Sequence, residues 1–85
     1  MFDNKKILIT GHSGFKGSWL TKILSMKSNA KLYGFSTMSD DYKLYKILNV
    51  RSLLQDYDIG NVSDFYDIYN VIHYVQPDII FHLAA

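Results

Sequence analysis

Three glycines near the amino terminus are the residues whose type and spacing point most clearly to chemistry. Gly11, Gly14 and Gly17 follow an apolar stretch, residues 7–9, at intervals of three. Between a strand and a helix, such glycines permit a tight turn, a close backbone approach to a pyrophosphate, and close helix–sheet packing. Helix N–H groups and the helix dipole would then face the phosphates. The pattern predicts a dinucleotide-binding turn; the alternative is a glycine-rich turn without a ligand.

The residues around the third glycine exclude a nucleotide-triphosphate P-loop. That loop needs Gly-Lys-Ser/Thr at the start of its helix, so that the lysine reaches the phosphates. Here the order is Lys16-Gly17-Ser18. With lysine and glycine exchanged, the lysine cannot take that position.

The three histidines do not have the spacing of a metal site. His12 lies in the glycine turn, His73 in a predicted helix and His82 in a predicted strand, and none has the i,i+4 partner that zinc helices use. The absence of cysteine excludes disulfides, thiolate chemistry and Cys-ligated zinc. We expect no metal. His12 either packs within the turn or approaches a phosphate or substrate, and the neighbouring backbone is expected to hydrogen-bond His82.

Composition narrows the class of protein. Hydrophobic residues make up 48% and charged residues 20%, which is typical of a globular domain. The nine Lys and Arg are scattered among eight Asp, so no basic face indicates a nucleic-acid partner. No apolar run approaches the roughly 20 residues of a membrane span, and the amino terminus lacks a secretory apolar segment. A cytoplasmic, soluble protein that binds no membrane is therefore expected.

Alternating strands and helices must position the glycine turn. The sequence predicts strands over 6–10, 31–36, 55–59 and 79–83, and helices over 15–26, 42–48 and about 65–75. Such alternation with short connections predicts a parallel sheet with right-handed crossovers. The expected fold class is therefore α/β, the amino-terminal part of a Rossmann-like doubly wound parallel sheet with strand order 3-2-1-4. Ligands bind where the strand order reverses.

Apolar stripes predict which helix faces are buried. In the first helix the stripe comprises Trp19, Leu20, Ile23 and Leu24. In the third it comprises Phe65, Ile68, Ile72 and Val75. Ser63 or Asp64 is expected to cap the third helix, Asp40 or Asp41 the second, and Asn29 is expected to end the first in the left-handed conformation.

The glycine motif also carries a family resemblance. The spacing G-x-x-G-x-x-G after Thr10 resembles the extended short-chain dehydrogenase/reductase family. The longer string GHSGFKGSWL, residues 11–20, closely resembles the amino terminus of CDP-glucose 4,6-dehydratases. Residues 58–64 and 77–85 resemble that family's D-I-G-D-I-x-D and P-D/E-I-V-F-H-x-A-A segments. The resemblance covers nearly the whole chain and is weakest over residues 37–55.

The resemblance implies a reaction and a set of binding residues. Family members pass a hydride from sugar C4 to NAD⁺, eliminate water across C5–C6 and return the hydride to C6. It implies NAD as cofactor, a nucleotide sugar as the partner of the full-length protein, and allows a homo-oligomer at full length. The implied cofactor-binding residues are Gly11, Gly14, Phe15, Lys16 and Gly17 at the pyrophosphate, Asn61 and Val62 at the adenine, and Leu83, Ala84 and Ala85 along the floor.

The sequence departs from the family pattern at two places. Asn61 stands where the family usually has Asp, although an amide can still hydrogen-bond adenine. At the end of the second strand, residues 36–38 offer neither the carboxylate that grips the ribose of NAD nor the Arg that favours NADP. Asp40 or Asp41 could replace that carboxylate. NAD is thus preferred by resemblance only.

No residue of this chain is expected to be catalytic. The family's base is the Tyr of a Tyr-x-x-x-Lys pair, and the Lys lowers the Tyr pKa from about 10. Tyr42 and Lys46 have this spacing by chance, because they precede the third strand whereas the family's pair follows the fourth. We therefore expect residues 1–85 to form the amino-terminal part of one NAD(P)-binding Rossmann domain without a substrate lobe, inactive alone. The alternatives are a non-catalytic nucleotide-binding module that needs a partner, or part of another extended reductase such as a nucleotide-sugar epimerase.

Overall fold

The computed structural model describes residues 2–36, 43–60 and 63–83. Within these ranges the chain alternates strands and helices in the predicted order. The strands are β1 (Lys6–Thr10), β2 (Lys31–Ser36), β3 (Asp56–Ile59) and β4 (Ile79–His82). The helices are α1 (Phe15–Lys27), α2 (Lys43–Ile47) and α3 (Phe65–Val75), and a 3₁₀ turn covers Val50–Leu53. Within these ranges, none of the helices combines the length and the apolar character of a membrane span.

The four strands form one parallel sheet in the order β3-β2-β1-β4. This is the order predicted from right-handed crossovers, and the α/β Rossmann-like class is confirmed. Ile7, Leu8 and Ile9 in the interior strand β1 are fully buried. Both faces of β1 are covered, which explains why its sequence is continuously apolar rather than alternating.

The core lies in two clusters, one on each face of the sheet. On the α1 face, Ile7 and Ile9 pack with Leu24 and Leu32. On the α3 face, the buried cluster comprises Leu8, Phe35, Val71 and Val75. The alternation of Ile7, Leu8 and Ile9 between the clusters follows from the two-residue period of a strand.

Helix α1 is rotated away from the orientation that its apolar stripe predicts. Trp19 and Ile23 are 43% and 48% exposed, so their predicted place between helix and sheet is wrong. The buried positions are Gly17, Ser18, Thr21 and Leu24. Small residues face the sheet because the helix begins immediately beside β1 and lies very close to it. The buried hydroxyl groups are hydrogen-bonded: Ser18 Oγ donates to the His12 carbonyl and Thr21 Oγ1 to the Gly17 carbonyl.

Helix α3 also buries a face next to the predicted one. Ile68, Val71 and Val75 pack against the sheet, whereas Phe65 is 70% and Ile72 37% exposed. The buried set keeps helical spacing but is turned by about one residue position. A helix crossing a twisted sheet exposes one side of a broad stripe, so the sequence could not settle which side.

The helix ends agree only in part with the predicted caps. Asp64 caps α3, and its Oδ1 accepts hydrogen bonds from the Tyr66 and Asp67 backbone N–H groups. Helix α1 instead ends at Ser28 in an extended conformation, so the predicted left-handed cap at Asn29 is wrong. The backbone N–H of Asn29 donates to a carboxylate oxygen of Asp3. The predicted caps at Asp40 and Asp41 lie outside the described residues.

Candidate cofactor site

The turn between β1 and α1 begins with a residue that must be glycine. Gly11 has a φ of 80°, in the left-handed region that side chains rarely adopt. Its N–H donates to the Phe35 carbonyl at 2.7 Å, and the Gly14 N–H donates back to the Gly11 carbonyl at 3.1 Å. These two bonds close the turn and attach it to β2.

Gly17 is required for a steric reason. A Cβ at this position would lie 2.0 Å from the Gly11 carbonyl oxygen and 2.8 Å from the His12 Cα. Both neighbours are backbone atoms within the turn, so they cannot rotate away. Gly17 therefore allows α1 to start directly against the turn.

Gly14 differs from the other two because nothing in the described chain requires a glycine there. Its φ of −78° suits any residue, and an added Cβ would meet only the Gly11 carbonyl oxygen, at an ordinary 3.5 Å. Gly14 is also the N-cap of α1, and it has no side chain with which to hydrogen-bond the first N–H groups. Among the described residues, this room beside a helix start without a side-chain cap fits an anionic group such as a pyrophosphate.

The first turn of α1 has the electrostatics of an anion site. Phe15 and Lys16 occupy it with exposed side chains, and the turn contains no acidic residue. Helix α3 is the contrast, because it has Asp64 as its cap and Asp67 in its first turn. Carboxylates stabilise the positive end of α3, whereas no carboxylate among the described residues caps that end of α1.

The end of β2 is attached to the glycine turn by a pair of hydroxyl groups. Ser13 Oγ and Ser36 Oγ lie 2.6 Å apart, and both residues are buried. The Ser36 hydroxyl is thus engaged inside the protein at the point where a nucleotide-binding carboxylate would end the strand. Residues 37–42, including Asp40 and Asp41, lie outside the described residues.

The crevice between β1 and β4 is bounded by a second side-chain contact. Thr10 Oγ1 lies 2.7 Å from His82 Nδ1, and the Leu83 N–H donates to the Thr10 carbonyl at 3.0 Å. His82 was expected to be hydrogen-bonded by backbone, and its partner is instead the Thr10 side chain. Leu83, one of the predicted floor residues, is 40% exposed there.

Four of the predicted site residues lie outside the described part of the chain. They are Asn61, Val62, Ala84 and Ala85. The structure brings the other six to the carboxyl ends of the parallel strands. Five of them lie within the turn and the start of α1, and Leu83 lies at the end of β4. Their role in cofactor binding stays a prediction.

His12 is packed inside the protein rather than turned toward a ligand. Its side chain is 1% exposed, and its ring contacts the rings of Tyr45 and Tyr57 at centroid distances of 5.6 and 6.1 Å. Burial lowers the pKa of His12 from 6.5 to about 4, so the ring is neutral at pH 7. Of the two expectations for His12, packing within the turn is the one observed.

The contact between His12 and Gly34 was not anticipated from the sequence. A Cβ at Gly34 would lie 2.5–2.7 Å from three atoms of the His12 ring. The available signal was the glycine in the middle of β2, since such a glycine marks a bulge or a close approach. The sequence could indicate a close approach there but not the residue that makes it.

A separate cavity lies on the opposite face of the sheet. It has a volume of about 390 Å³ and is formed between α3 and strands β2 and β3, with Tyr33, Asp56, Asn70 and Tyr74 among its lining residues. It includes none of the glycine-turn residues. The candidate cofactor site instead lies at the carboxyl ends of the strands, next to the start of α1.

The amino-acid sequence matches a known protein family. A sequence model described as GDP-mannose 4,6 dehydratase matches residues 8–85, from β1 through the glycine turn to the last residue. The chain belongs to the GDP-mannose 4,6 dehydratase family. This membership agrees with the resemblance to sugar-nucleotide 4,6-dehydratases. It does not specify CDP-glucose as the substrate. A search of curated proteins found no significant match.

Solved structures of the same fold include two with informative names. The dTDP-glucose 4,6-dehydratase of Bacillus anthracis, in complex with NAD, superimposes with a TM-score of 0.78 at 20% identity over 95% of this chain. The ADP-L-glycero-D-manno-heptose-6-epimerase of Helicobacter pylori gives 0.75 at 27% identity over 96%. The chain covers 27% of the length of each. The first likeness, below 25% identity, shows the fold alone.

Proposed function

We propose that this chain is the NAD-binding portion of a nucleotide-sugar 4,6-dehydratase that converts CDP-glucose to CDP-4-keto-6-deoxyglucose. One observation supports the proposal: there is room for a Cβ at Gly14, beside the uncapped start of α1, and no packing among the described residues explains the glycine. Family membership supports the 4,6-dehydratase class. The choice of CDP-glucose depends on the resemblance of residues 11–20.

The proposed cofactor contacts follow the sequence prediction. Gly11, Gly14 and Gly17, with the backbone of Phe15 and Lys16, would hold the pyrophosphate. Asn61 and Val62 would border the adenine, and Leu83, Ala84 and Ala85 would form the floor. When bound, NAD⁺ supplies the acceptor for the sugar hydride. The chain's own part is to hold the cofactor with backbone N–H groups and a positive helix end.

Catalysis is proposed to depend on polypeptide beyond these residues. Lys46 of the Tyr42–Lys46 pair lies on α2, between β2 and β3 in the chain and exposed. The glycine turn lies instead between β1 and α1. We therefore assign no catalytic residue here. We propose that the whole enzyme binds the nucleotide sugar, forms any homo-oligomer and is located in the cytoplasm. No nucleic-acid or membrane partner is proposed.

The experiment that tests this function compares the native chain with Gly14→Ala. Titration calorimetry with NAD⁺ should give saturable one-to-one binding by the native chain. Gly14→Ala should weaken binding at least tenfold, because the methyl group enters the space proposed for the pyrophosphate. Its melting temperature should fall by only about 5 °C or less, since that Cβ meets only an ordinary contact and the remaining cost is that of alanine as an N-cap. Equal affinities for both proteins would contradict the proposal.

A second candidate function is a free-standing nucleotide-binding module that pairs with another polypeptide. The favouring observation is the exposed apolar surface on and around β4, including Ile80 at 44% and Leu83 at 40%. β4 is an edge strand without a charged residue, whereas the other edge, β3, contains Asp56 and Asp58. Edge strands without charge pair readily with further strands.

Three outcomes of one assay, in which NAD⁺ binding and sugar-nucleotide products are both measured, distinguish the candidates. NAD⁺ binding with no turnover of CDP-glucose supports a cofactor-binding portion of a larger enzyme. Turnover after a partner polypeptide is added, with the chain in a stable complex, supports the module. An epimerised sugar nucleotide in place of a 4-keto product supports an epimerase, the class of the Helicobacter pylori structure.

A further inference from the structure

We infer that His12 and Gly34 interlock, and that this interlock positions the glycine turn for the pyrophosphate. His12 is then a positioning residue that acts through the backbone of the turn, without contacting the cofactor. The inference rests on the proposed function for its purpose, but the interlock itself is a property of the protein alone.

The contact is sterically specific. The three atoms that a Cβ at position 34 would meet are the Cγ, Nδ1 and Cδ2 of the His12 ring, at 2.5, 2.6 and 2.7 Å. Real Cβ atoms do not approach to such distances, so either the ring or the strand would have to move. The His12 ring therefore occupies the space that any other residue at position 34 would need.

The ring has little freedom to move aside. It is 1% exposed and contacts the Tyr45 ring of α2 and the Tyr57 ring of β3. Its Nδ1 has no hydrogen-bond partner among the described residues, so no bond from that atom fixes the orientation. Packing against Gly34 and the two tyrosines, together with a hydrogen bond to the Phe35 backbone, sets the position of the ring.

The His12 backbone transmits this position to the turn. Its carbonyl accepts a hydrogen bond from Ser18 Oγ at 3.1 Å, and its Cα lies against Gly17. A displaced His12 would therefore displace the start of α1, where the N–H groups for the pyrophosphate lie. The position of one buried ring thus decides the position of the proposed anion site.

The neighbouring residues of β2 hold the turn in the same place. The Phe35 carbonyl accepts from the Gly11 N–H, and Ser36 Oγ lies 2.6 Å from Ser13 Oγ. Gly34 and Ser36 point to the same face of the sheet, because side chains two apart in a strand share a face. Three consecutive residues of β2 thus hold the turn, and Gly34 does so by having no side chain.

A double-mutant cycle tests the interlock without a cofactor. Gly34→Ala should lower the melting temperature by about 8 °C or more, as overpacking of a small core does. In a His12→Ala background the same substitution should change it by less than about 3 °C, because the new methyl group enters the vacated space. Equal losses in both backgrounds would overturn the interlock.

Two further measurements test positioning. In Gly34→Ala the amide resonances of Gly11 and Gly14 should shift, and NAD⁺ affinity should fall at least fivefold. Val75→Ala, which opens the core on the opposite face, should lower the melting temperature but leave the glycine amide resonances and the NAD⁺ affinity unchanged within error. Unchanged glycine amides in Gly34→Ala would refute positioning. A native chain that binds no NAD⁺ would refute the proposed function, while the melting temperatures and amide shifts still decide the interlock.

Discussion

The three glycines of one motif differ in whether the fold requires them. Gly11 adopts a φ of 80° and Gly17 lies against the carbonyl of Gly11, whereas a Cβ at Gly14 would meet only an ordinary contact among the described residues. The sequence predicted these roles from the strand–turn–helix setting. It could not show which of the three is required by the fold alone, because that depends on distances between backbone atoms.

Gly17→Ala tests the steric role. The added Cβ, 2.0 Å from the Gly11 carbonyl oxygen, should lower the free energy of unfolding by about 3 kcal/mol, since only backbone movement relieves the overlap. Urea denaturation followed by circular dichroism measures it. Gly14→Ala is the matched control and should lose no more than about 1 kcal/mol, because alanine is a poorer N-cap than glycine but its Cβ meets only an ordinary contact. Similar losses at the two positions would show that the turn is packed differently.

Burial of His12 predicts a dependence of stability on pH. Its pKa is about 4 in the folded chain against 6.5 without burial, so the unfolded chain takes up the proton first as the pH falls. The contribution of a neutral His12 is therefore complete above about pH 7 and is lost progressively toward pH 4, by up to about 3 kcal/mol. Unfolding of the native chain and of His12→Asn at a series of pH values measures it.

The difference between those two proteins isolates His12. The carboxylates titrate in both and cancel, so the native chain should lose more stability than His12→Asn between pH 7 and pH 4. Parallel curves would mean that His12 is charged or solvated in the folded state.

The boundaries of the strands and helices were more predictable from the sequence than the faces that the helices bury. Predicted and observed strands agree within two residues, because turn residues and apolar runs mark them locally. The strand order followed from the handedness of crossovers. The rotation of α1 could not be predicted, since it is set by contact between Gly17 and the turn, which no periodicity encodes. Its seam of small residues, with Ser18 and Thr21 facing inward, lacks the apolar signal of a buried face.

Paired alanine substitutions test the observed rotation of α1. Leu24→Ala should lower the free energy of unfolding by about 2–3 kcal/mol, because Leu24 is 7% exposed within the core. Ile23→Ala should cost less than about 1 kcal/mol, because Ile23 is 48% exposed and alanine favours the helix. Thermal or urea unfolding of both variants measures the contrast. Equal costs would restore the orientation predicted from the apolar stripe.

At the scale of the whole molecule, the two edges of the sheet differ in character. The β3 edge has the sequence DYDI, with two carboxylates, and the β4 edge has IIFH, with none. Exposed apolar side chains also lie on the two helices nearest the interior strand, Trp19 and Ile23 on α1 and Phe65 on α3. The chain covers 27% of the length of two solved relatives, and we propose that other polypeptide packs at the β4 edge.

Ile80→Lys tests that expectation. A lysine on the β4 edge should reduce self-association of the chain, because charge opposes strand pairing at an exposed edge. Light scattering during size-exclusion chromatography measures the change over a range of concentrations. Gln55→Lys, which adds the same charge beside β3, should leave association unchanged. A reduction of equal size in both variants would indicate an effect of net charge and not of the β4 edge.

Titration of NAD⁺ into the native chain and into Gly14→Ala, side by side, tests whether the glycine turn binds a dinucleotide. We expect one-to-one binding by the native chain and at least tenfold weaker binding by the variant, with melting temperatures that differ by about 5 °C or less. Binding of equal strength, or no binding by a folded native chain, would contradict it.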